Sequence, residues 1–492
     1  MASILAGRVK IIRNRSSKAA NSAWMLSGQF IGKGCLFISV MFLSRYLSDS
    51  DFGGLLFSLV LAQIYLFLSD MGVSLVLNRR ASMRPDDTQE LLSASMTLRL
   101  ILTLLGFPLM MLAGLLLGMS GDRLLIQGII GLSVFFESYA EMFYSVFRAG
   151  ERMMFEGFSR VSKGMTGLAL VLLAIGLDLG LTAVAFSYVI RTAAATAVAF
   201  RGVRSSGYSI RPLFRRNEVK ELFLASLPLG IMGLVTIIHQ RADNILIRQM
   251  LGENAVAAWQ QCMKIIELMV LLVVPTLLPG ALFPSLCRSY RDGGHLRETG
   301  DMARVFTAFA VAVSLSVVST GNRFLRFVWG SDYLRDISAS SLQICLYLAL
   351  AGLAVVYLMH ILLASLLAVN KVRIVIPVTA AAMVLVITGN LVLIPMVGLP
   401  SAGIFYLAGN LLILLSYWFF LRWRGYSLPI WKEALISIAV SIPAFAIVPL
   451  TRSMDFLPAL VLPVAVYVPV WWFTGGGRAA GRLFPGRSPS AL

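Results

Sequence analysis

Long apolar runs, separated by short polar or charged stretches, follow one another along nearly the whole chain. An α-helix needs about 20 apolar residues to cross roughly 30 Å of hydrocarbon, and these runs have that length. The pattern predicts an all-α polytopic membrane protein with about fourteen transmembrane helices. The helices are expected to begin near Ser22, Phe52, Glu90, Leu124, Phe158, Leu181, Glu221, Asn254, Met302, Ser338, Val372, Leu399, Lys432 and Phe456.

Two similarities within the chain indicate an internal repeat. GLTAVAFSYV (180–189) resembles GLPSAGIFYL (398–407), and FLSRYLSDSDFGGL (42–55) parallels ILIRQMLGENAVAAW (245–259). Because the matches occur in the same order, we expect two pseudo-repeated six-helix bundles plus two C-terminal helices, an architecture common in secondary transporters. The predicted divisions are an amphipathic cytoplasmic N-terminus (1–21), an N-terminal bundle (22–203), a basic cytoplasmic linker (204–220), a C-terminal bundle (221–425), helices 13 and 14 (426–474) and a cytoplasmic tail (475–492).

The composition agrees with a membrane protein, since 58% of the residues are hydrophobic and only 13% are charged. The net charge of +18 does not indicate nucleic-acid binding, because the basic residues form small groups between apolar runs and not one basic surface with aromatic partners. Lys and Arg are retained on the cytoplasmic side of inserted helices. Assigning the basic groups to alternate sides places most of them on the side of both termini, which are therefore predicted to be cytoplasmic.

The chain shows no motif for nucleotide, metal or nucleophilic chemistry. GQFIGKG (28–34) has three residues between its first two glycines and lacks a Ser or Thr after Lys33, so it departs from a phosphate-binding loop. Close helix packing through Gly28 and Gly32 is the better interpretation. We expect no catalytic residue, cofactor or metal, although a membrane-embedded glycan polymerase or ligase remains an alternative from the enzyme class.

Polar and ionisable side chains recur inside the apolar runs at helical spacing. Each ionisable residue at membrane depth costs at least about 2.5 to 3.5 kcal/mol, so it is expected to face a partner or a wet cavity. Stripes on at least four helices predict a central hydrophilic cavity. The polar positions are Gln29 and Lys33 on helix 1, Gln63 and Asp70 on helix 2, Glu137, Glu141, Tyr144 and Arg148 on helix 4, Arg191 on helix 6, Gln240, Arg241, Asp243, Asn244 and Arg248 on helix 7, and Gln260, Lys264 and Glu267 on helix 8.

Two interpretations of these charges stay open at the level of sequence. One is structural ion pairing, of Lys264 with Glu267 one turn away or with Asp243 across the hairpin of helices 7 and 8. The other is recognition of an anionic substrate, such as a phosphate or pyrophosphate, by cations that face one cavity.

Three segments resemble the polysaccharide transporters of the MOP (multidrug, oligosaccharidyl-lipid, polysaccharide) superfamily, which include the Wzx-type lipid-linked oligosaccharide flippases. Residues 43–79 are similar to the helix 1 to 2 region of that family, with a short acidic loop before an aromatic-Gly pair and a later Asp-x-Gly. Residues 225–267 resemble its helix 7 to 8 region. LIPMVGLPSAGIFYL (393–407) resembles its repeat signature, with Pro400 where several relatives carry Gly.

The resemblance implies an alternating-access flippase in the bacterial cytoplasmic membrane. It would move a polyprenyl-pyrophosphate-linked glycan to the outer face for exopolysaccharide, capsule or O-antigen assembly, with a polymerase and export machinery as candidate partners. A multidrug or metabolite exporter of the same superfamily is the alternative within transport. By position the resemblance points to Lys33 and, more loosely, to Arg241 and Lys264 as contacts of the charged head. With the polar stripes, the candidate substrate-binding residues are Lys33, Gln29, Arg191, Arg241, Asn244 and Lys264, and the candidate coupling or gating residues are Asp70, Glu137, Glu141, Asp243 and Glu267.

Overall fold

The computed structural model describes residues 18–212, 214–277, 286–287, 289–290, 295–330, 339–369, 371–451 and 453–483. Most of the predicted N-terminal segment 1–21 therefore lies outside the described residues. Within the described ranges the regular structure is helical, with no strand. The helices of the first half are α1 (Lys18–Tyr46), α2 (Asp49–Asp70), α3 (Val73–Met83), α4 (Thr88–Leu116), α5 (Gly121–Ala149), α6 (Met153–Gly176) and α7 (Gly180–Ser205). The remainder are α8 (Arg216–Leu251), α9 (Glu253–Leu277), α10 (His295–Thr320), α11 (Asn322–Trp329), α12 (Ala339–Ala368), α13 (Val375–Val397), α14 (Pro400–Trp423), α15 (Ile430–Ala439), α16 (Ile442–Ala446), α17 (Val448–Thr451), α18 (Phe456–Trp471) and α19 (Gly477–Leu483).

Twelve segments among the described residues are long and apolar enough to cross a membrane. The predicted all-α, multi-pass membrane fold is thus confirmed, whereas the count of fourteen is not. The segment α9 has 25 residues but is not among the twelve. Predicted helix 13 is divided into α15, α16 and α17, because Pro443 and Pro449 stand at the first turns of α16 and α17, where proline begins a helix but cannot continue one.

The chain forms two compact units, Met1–Leu47 with Gly54–Ile238, and Ser48–Gly53 with His239–Leu492. The boundary falls inside α8 because the first half of that helix packs against α2 and α3. A Cβ on Gly230 would stand 2.7 Å from the Met71 carbonyl oxygen, and Leu222 is buried beside Val73. The predicted linker 204–220 extends from the last two residues of α7 into the first five residues of α8.

In the first unit, α1 packs against α6, α5 and α6 both pack against α7, and α3, α4 and α5 contact one another. The contact of α1 with α6 is a backbone-to-backbone crossing. A Cβ on Gly28 would lie 2.5 Å from the Gly157 Cα, and a Cβ on Gly164 would lie 2.6 Å from the Gly32 Cα. Only glycine permits this approach, so the packing role predicted for Gly28 and Gly32 is confirmed.

In the second unit, α12 packs against α14, α13 against α14, and α10 against α12. These contacts have the same order as α5 with α7, α6 with α7 and α4 with α5 in the first unit. The matched segments at 180–189 and 398–407 both begin with a glycine of positive φ, Gly180 at 74° and Gly398 at 70°. The predicted repeat thus has a counterpart in the contacts and in the turns.

The C-terminal helices dock on α10 through two arginine pairs. Arg304 donates to the Glu433 carboxylate at 3.1 Å, and Arg482 on α19 donates to Asp301 with Nε at 2.6 Å. Helix α19 also packs along α10. Residues 477–483 of the predicted tail 475–492 are therefore an ordered helix.

Candidate functional site

Two cations of the second unit share one carboxylate between α8 and α9. Arg241 Nη2 donates to Glu267 Oε1 at 3.0 Å, and Lys264 Nζ donates to Glu267 Oε2 at 2.7 Å. The side chains of Arg241 and Lys264 are only 15% and 16% exposed, while Glu267 is 36% exposed. The predicted pairing of Lys264 with Glu267 is confirmed, and the group carries one positive charge in excess.

Asp243 forms hydrogen bonds and, among the described residues, no ion pair within contact distance, although it also interacts electrostatically with Arg241. Its Oδ2 accepts from Trp259 Nε1 at 2.6 Å, and its Oδ1 accepts from the backbone N–H and the side-chain amide of Asn244 at 2.8 and 2.7 Å. The alternative pairing of Asp243 with Lys264 is therefore wrong, because Trp259 occupies the place on α9 that reaches this carboxylate. Asn244 Oδ1 in turn accepts from Gln260 Nε2 at 2.6 Å.

The polar half of α8 thus faces α9 over several turns, and Arg248 extends the series by donating to Glu253 at 3.3 Å. The partners on α9 are Glu253, Trp259, Gln260 and Glu267, so the contacts extend along several turns of both helices. Four of the five polar residues predicted on this half of α8 thus meet α9, whereas the fifth, Gln240, is exposed. The central cavity stays a prediction.

In the first unit the predicted stripe on α5 forms a ladder of ion pairs with α6. Glu137 accepts from Lys163 Nζ at 2.5 Å, and Glu141 accepts from Arg160 Nη2 at 3.2 Å. Nearer the turn between the helices, Arg148 donates from Nε at 2.9 Å to Glu156 Oε2. The Glu156 side chain is fully buried, so the ladder holds the two helices in one register.

Tyr144, the remaining member of the stripe, joins three helices. Its hydroxyl and that of Ser159 on α6 are 2.7 Å apart, and Ser159 donates to the Ala195 carbonyl oxygen on α7 at 2.7 Å. The Arg160 guanidinium lies 4.5 Å from the centre of the Tyr144 ring. These contacts connect α5, α6 and α7 beside the ion pairs of the ladder.

Arg191 on α7 lies near Lys163, at the end of the ladder furthest from the turn between α5 and α6. Its guanidinium stacks over Tyr188 at 3.9 Å from the ring centre, and its buried Nε has no acceptor. Among the described residues it meets no carboxylate within ion-pair distance. Lys163 interacts with it electrostatically, but the charge of Lys163 is balanced by Glu137.

Gln29 and Lys33 lie on α1 beside the glycine crossing. Gln29 is half-buried and Lys33 is exposed. They follow Gly28 and Gly32 by one residue each, so their backbone positions are fixed by the contact of those glycines with α6. Lys33 and Arg191 belong to the first unit, Arg241 and Lys264 to the second.

Asp70 ends α2 and is paired with a buried arginine. The helical conformation ends there, with a φ of 43° at Met71 and of 81° at Gly72, before α3 begins. Asp70 accepts from the Ser74 N–H at 3.2 Å and its hydroxyl at 2.5 Å, and it pairs with Arg99, whose side chain is fully buried. Arg99 also donates to Ser74 Oγ at 2.8 Å and bonds to a carbonyl of α5.

Sequence reasoning missed several of these partners. Arg99 stands alone in the apolar run MTLRLILTL, and its charge at membrane depth was the available signal. Arg160 and Lys163 belong to one of the basic groups between apolar runs, a position that indicates a cytoplasmic loop, yet both pair with the stripe on α5. Nothing in the pattern marked Trp259 as a hydrogen-bond donor. The described residues contain no group of three or more His, Cys, Asp or Glu side chains that could hold a metal ion.

Comparison with known proteins places this arrangement in context. The structure is similar to one described as lipid II flippase MurJ in an inward closed conformation, with a TM-score of 0.73 and 14% identity over 94% of this chain and 99% of that one. It is also similar to an inward-facing multidrug resistance MATE family transporter of the MOP superfamily, with a TM-score of 0.65 and 15% identity over 84% of this chain and 98% of that one. A MATE transporter of Vibrio cholerae gives a TM-score of 0.58 at 14% identity over 83% and 98% of the two chains.

These likenesses establish that the fold is that of MOP-superfamily transporters. No curated protein matches the sequence. The model of a family described as polysaccharide biosynthesis protein matches residues 19–289, more than half of the chain. The chain belongs to the polysaccharide biosynthesis protein family.

Proposed function

We propose that this protein is a flippase for a polyprenyl-pyrophosphate-linked oligosaccharide in the bacterial cytoplasmic membrane. The family description and the fold shared with a protein named as a lipid II flippase support the proposal. The glycan would serve exopolysaccharide, capsule or O-antigen assembly, with a polymerase and the export machinery as partners. Both termini are taken to be cytoplasmic.

The observation that carries the proposal is the pair of cations on Glu267. Arg241 and Lys264 approach two different oxygens of one carboxylate, at 3.0 and 2.7 Å. A pyrophosphate offers several oxygens at comparable spacing and carries more negative charge, so it can bind both cations at once. The group's single excess positive charge favours the exchange of Glu267 for such an anion.

In this proposal Glu267 acts as a gate for the anion site. While the site is empty, its carboxylate keeps Arg241 and Lys264 paired, so neither charge is left unpaired at membrane depth. When the pyrophosphate arrives, Glu267 swings out, which its 36% exposure allows. Substrate binding thereby breaks one contact between α8 and α9, and this change is coupled to alternating access of the two halves.

The proposal is tested by gene deletion and complementation. Deletion should trap the lipid-linked glycan on the cytoplasmic face and abolish polymer at the cell surface. Arg241→Gln and Lys264→Gln should each restore little export, because each leaves a pyrophosphate with one cation. Arg215→Gln is the matched control. Arg215 is an exposed cation in the loop before α8 that pairs with Glu90 on α4 and Glu218 on α8, and its replacement should restore export fully. Normal export in the deletion strain would contradict the proposal.

The alternatives give different results in the same strains. The fold is also similar to that of a MATE family transporter, so export of drugs or metabolites is the first alternative. In that case the deletion strain would show altered drug resistance with unchanged glycan export. A glycan polymerase or ligase would join glycan units as purified protein in detergent. Either result would replace the flippase proposal.

A further inference from the structure

The ladder between α5 and α6 leaves one cation of its neighbourhood without a carboxylate. The region contains four cations, Arg148, Arg160, Lys163 and Arg191, and three carboxylates, Glu137, Glu141 and Glu156. Each of the three carboxylates is paired with a cation on α5 or α6. The excess charge belongs to Arg191 on α7. An ionised arginine within a membrane-spanning helix is costly unless it faces a partner or a wet cavity. Because Arg191 has no carboxylate partner among the described residues, its position points to a ligand.

The geometry holds the Arg191 guanidinium in one plane. One face lies on the Tyr188 ring at 3.9 Å from its centre. The stem runs past Gly167, where a Cβ would stand 2.8 Å from Arg191 Cδ. The Nε atom is buried without an acceptor, and the terminal nitrogens make no hydrogen bond within the described residues. The guanidinium of Arg191 therefore has a fixed orientation, and its N–H donors have no acceptor among the described residues.

The chemistry of this guanidinium fits a carboxylate better than a pyrophosphate. A guanidinium binds a carboxylate through two parallel hydrogen bonds with matched single charges. A pyrophosphate carries more charge and needs more than one cation, as Arg241 and Lys264 provide on α8 and α9. Lys163 lies near Arg191, but its charge is engaged by Glu137 at 2.5 Å and adds only a weak attraction.

We infer that Arg191 binds a carboxylate of the transported glycan, so that the substrate is an acidic oligosaccharide such as one containing a uronic acid. The inference rests on the proposed flippase function and assigns its specificity to the first unit. Tyr188 and Gly167 are positioning residues, since they act through the Arg191 side chain.

The test compares two lipid-linked oligosaccharides in vesicles that contain the purified protein. The two probes have the same polyprenyl pyrophosphate and the same sugar count, but one contains a glucuronic acid where the other has glucose. The rate of transbilayer movement is measured for each, and the acidic-to-neutral ratio is the readout. Arg191→Gln should lower that ratio about tenfold or more, because a hydrogen bond to a charged group is lost. Arg191→Lys, which keeps the charge but not the two-fold donor edge, should give an intermediate ratio.

Arg204→Gln is the matched control. Arg204 lies on the same helix, also over an aromatic ring, 5.9 Å from the centre of Phe200, but it is exposed in the last turn. Its replacement should leave both rates unchanged. An unchanged ratio in Arg191→Gln, or a wild-type protein that prefers the neutral probe, would overturn the inference while leaving the flippase function intact. A wild-type protein that moves neither probe would contradict both.

Discussion

The pair of Asp70 and Arg99 makes a quantitative prediction about stability. Asp70→Ala removes the only carboxylate at ion-pair distance from Arg99 among the described residues, and leaves the guanidinium with Ser74 Oγ and a carbonyl of α5. Breaking a buried ion pair costs roughly 3 to 5 kcal/mol, because the remaining charge stays buried. Asp70 is itself 21% exposed, so water can reach the vacated place in part. We therefore expect a loss of about 3 kcal/mol, the lower end of that range.

The assay is reversible unfolding in mixed micelles, with a double-mutant cycle that includes Arg99→Met. The double variant carries no buried charge at this site, so it should recover much of the stability that Asp70→Ala loses, and the coupling energy should exceed about 1 kcal/mol. Asp70→Asn should cost less than Asp70→Ala, because the amide oxygen can still accept from the Ser74 N–H. A loss below about 0.5 kcal/mol for Asp70→Ala, the level of an ordinary surface substitution, would refute the assignment of this pair as the support of the α2 to α3 break.

Two further predictions concern packing and the buried carboxylate. Gly32→Leu should lower the unfolding free energy by about 1 to 3 kcal/mol, because the new side chain collides with the α6 backbone. The control is Gly34→Ala, whose Cβ meets nothing within 4 Å and which should change the unfolding free energy by less than about 0.5 kcal/mol. Thermal unfolding in detergent separates the two variants. Trp259→Phe removes the N–H that donates to Asp243 at 2.6 Å, and it should lower the unfolding free energy by about 1 to 3 kcal/mol. The control is Trp423→Phe, at a residue that is 70% exposed, which should leave the melting temperature unchanged. Equal shifts of the melting temperature for both variants would contradict the role given to this hydrogen bond.

The sequence was most informative about features that lie within one helix. All residues of one helix share a fixed rotation, so the spacing in IIHQRADNIL was enough to place Arg241, Asp243 and Asn244 on one half of α8. The same reasoning placed Glu137 and Glu141 on one face of α5. Close approach at Gly28 and Gly32 was also predictable, since glycine at that spacing on a membrane helix has few other uses.

Contacts between helices were much less predictable. Lys163 has the same basic side chain as residues retained in the cytoplasm, and only the folded hairpin of α5 and α6 brings it to Glu137. The choice of Trp259 over Lys264 as the partner of Asp243 depends on the register of α9 against α8, which one sequence does not determine. The division of predicted helix 13 at Pro443 was visible as a proline in the sequence, but membrane helices tolerate proline often enough that it did not mark a break.

The central claim is that Arg241 and Lys264 bind the pyrophosphate of a lipid-linked glycan that this protein moves across the membrane. Its most direct test is the rate at which purified protein in vesicles transfers a fluorescent polyprenyl-pyrophosphate oligosaccharide between leaflets, read by quenching from outside. The account predicts rapid transfer by the wild type, a fall of about tenfold or more in the Arg241→Gln and Lys264→Gln variants, and no change in Arg215→Gln. Transfer by both site variants at the wild-type rate would contradict it.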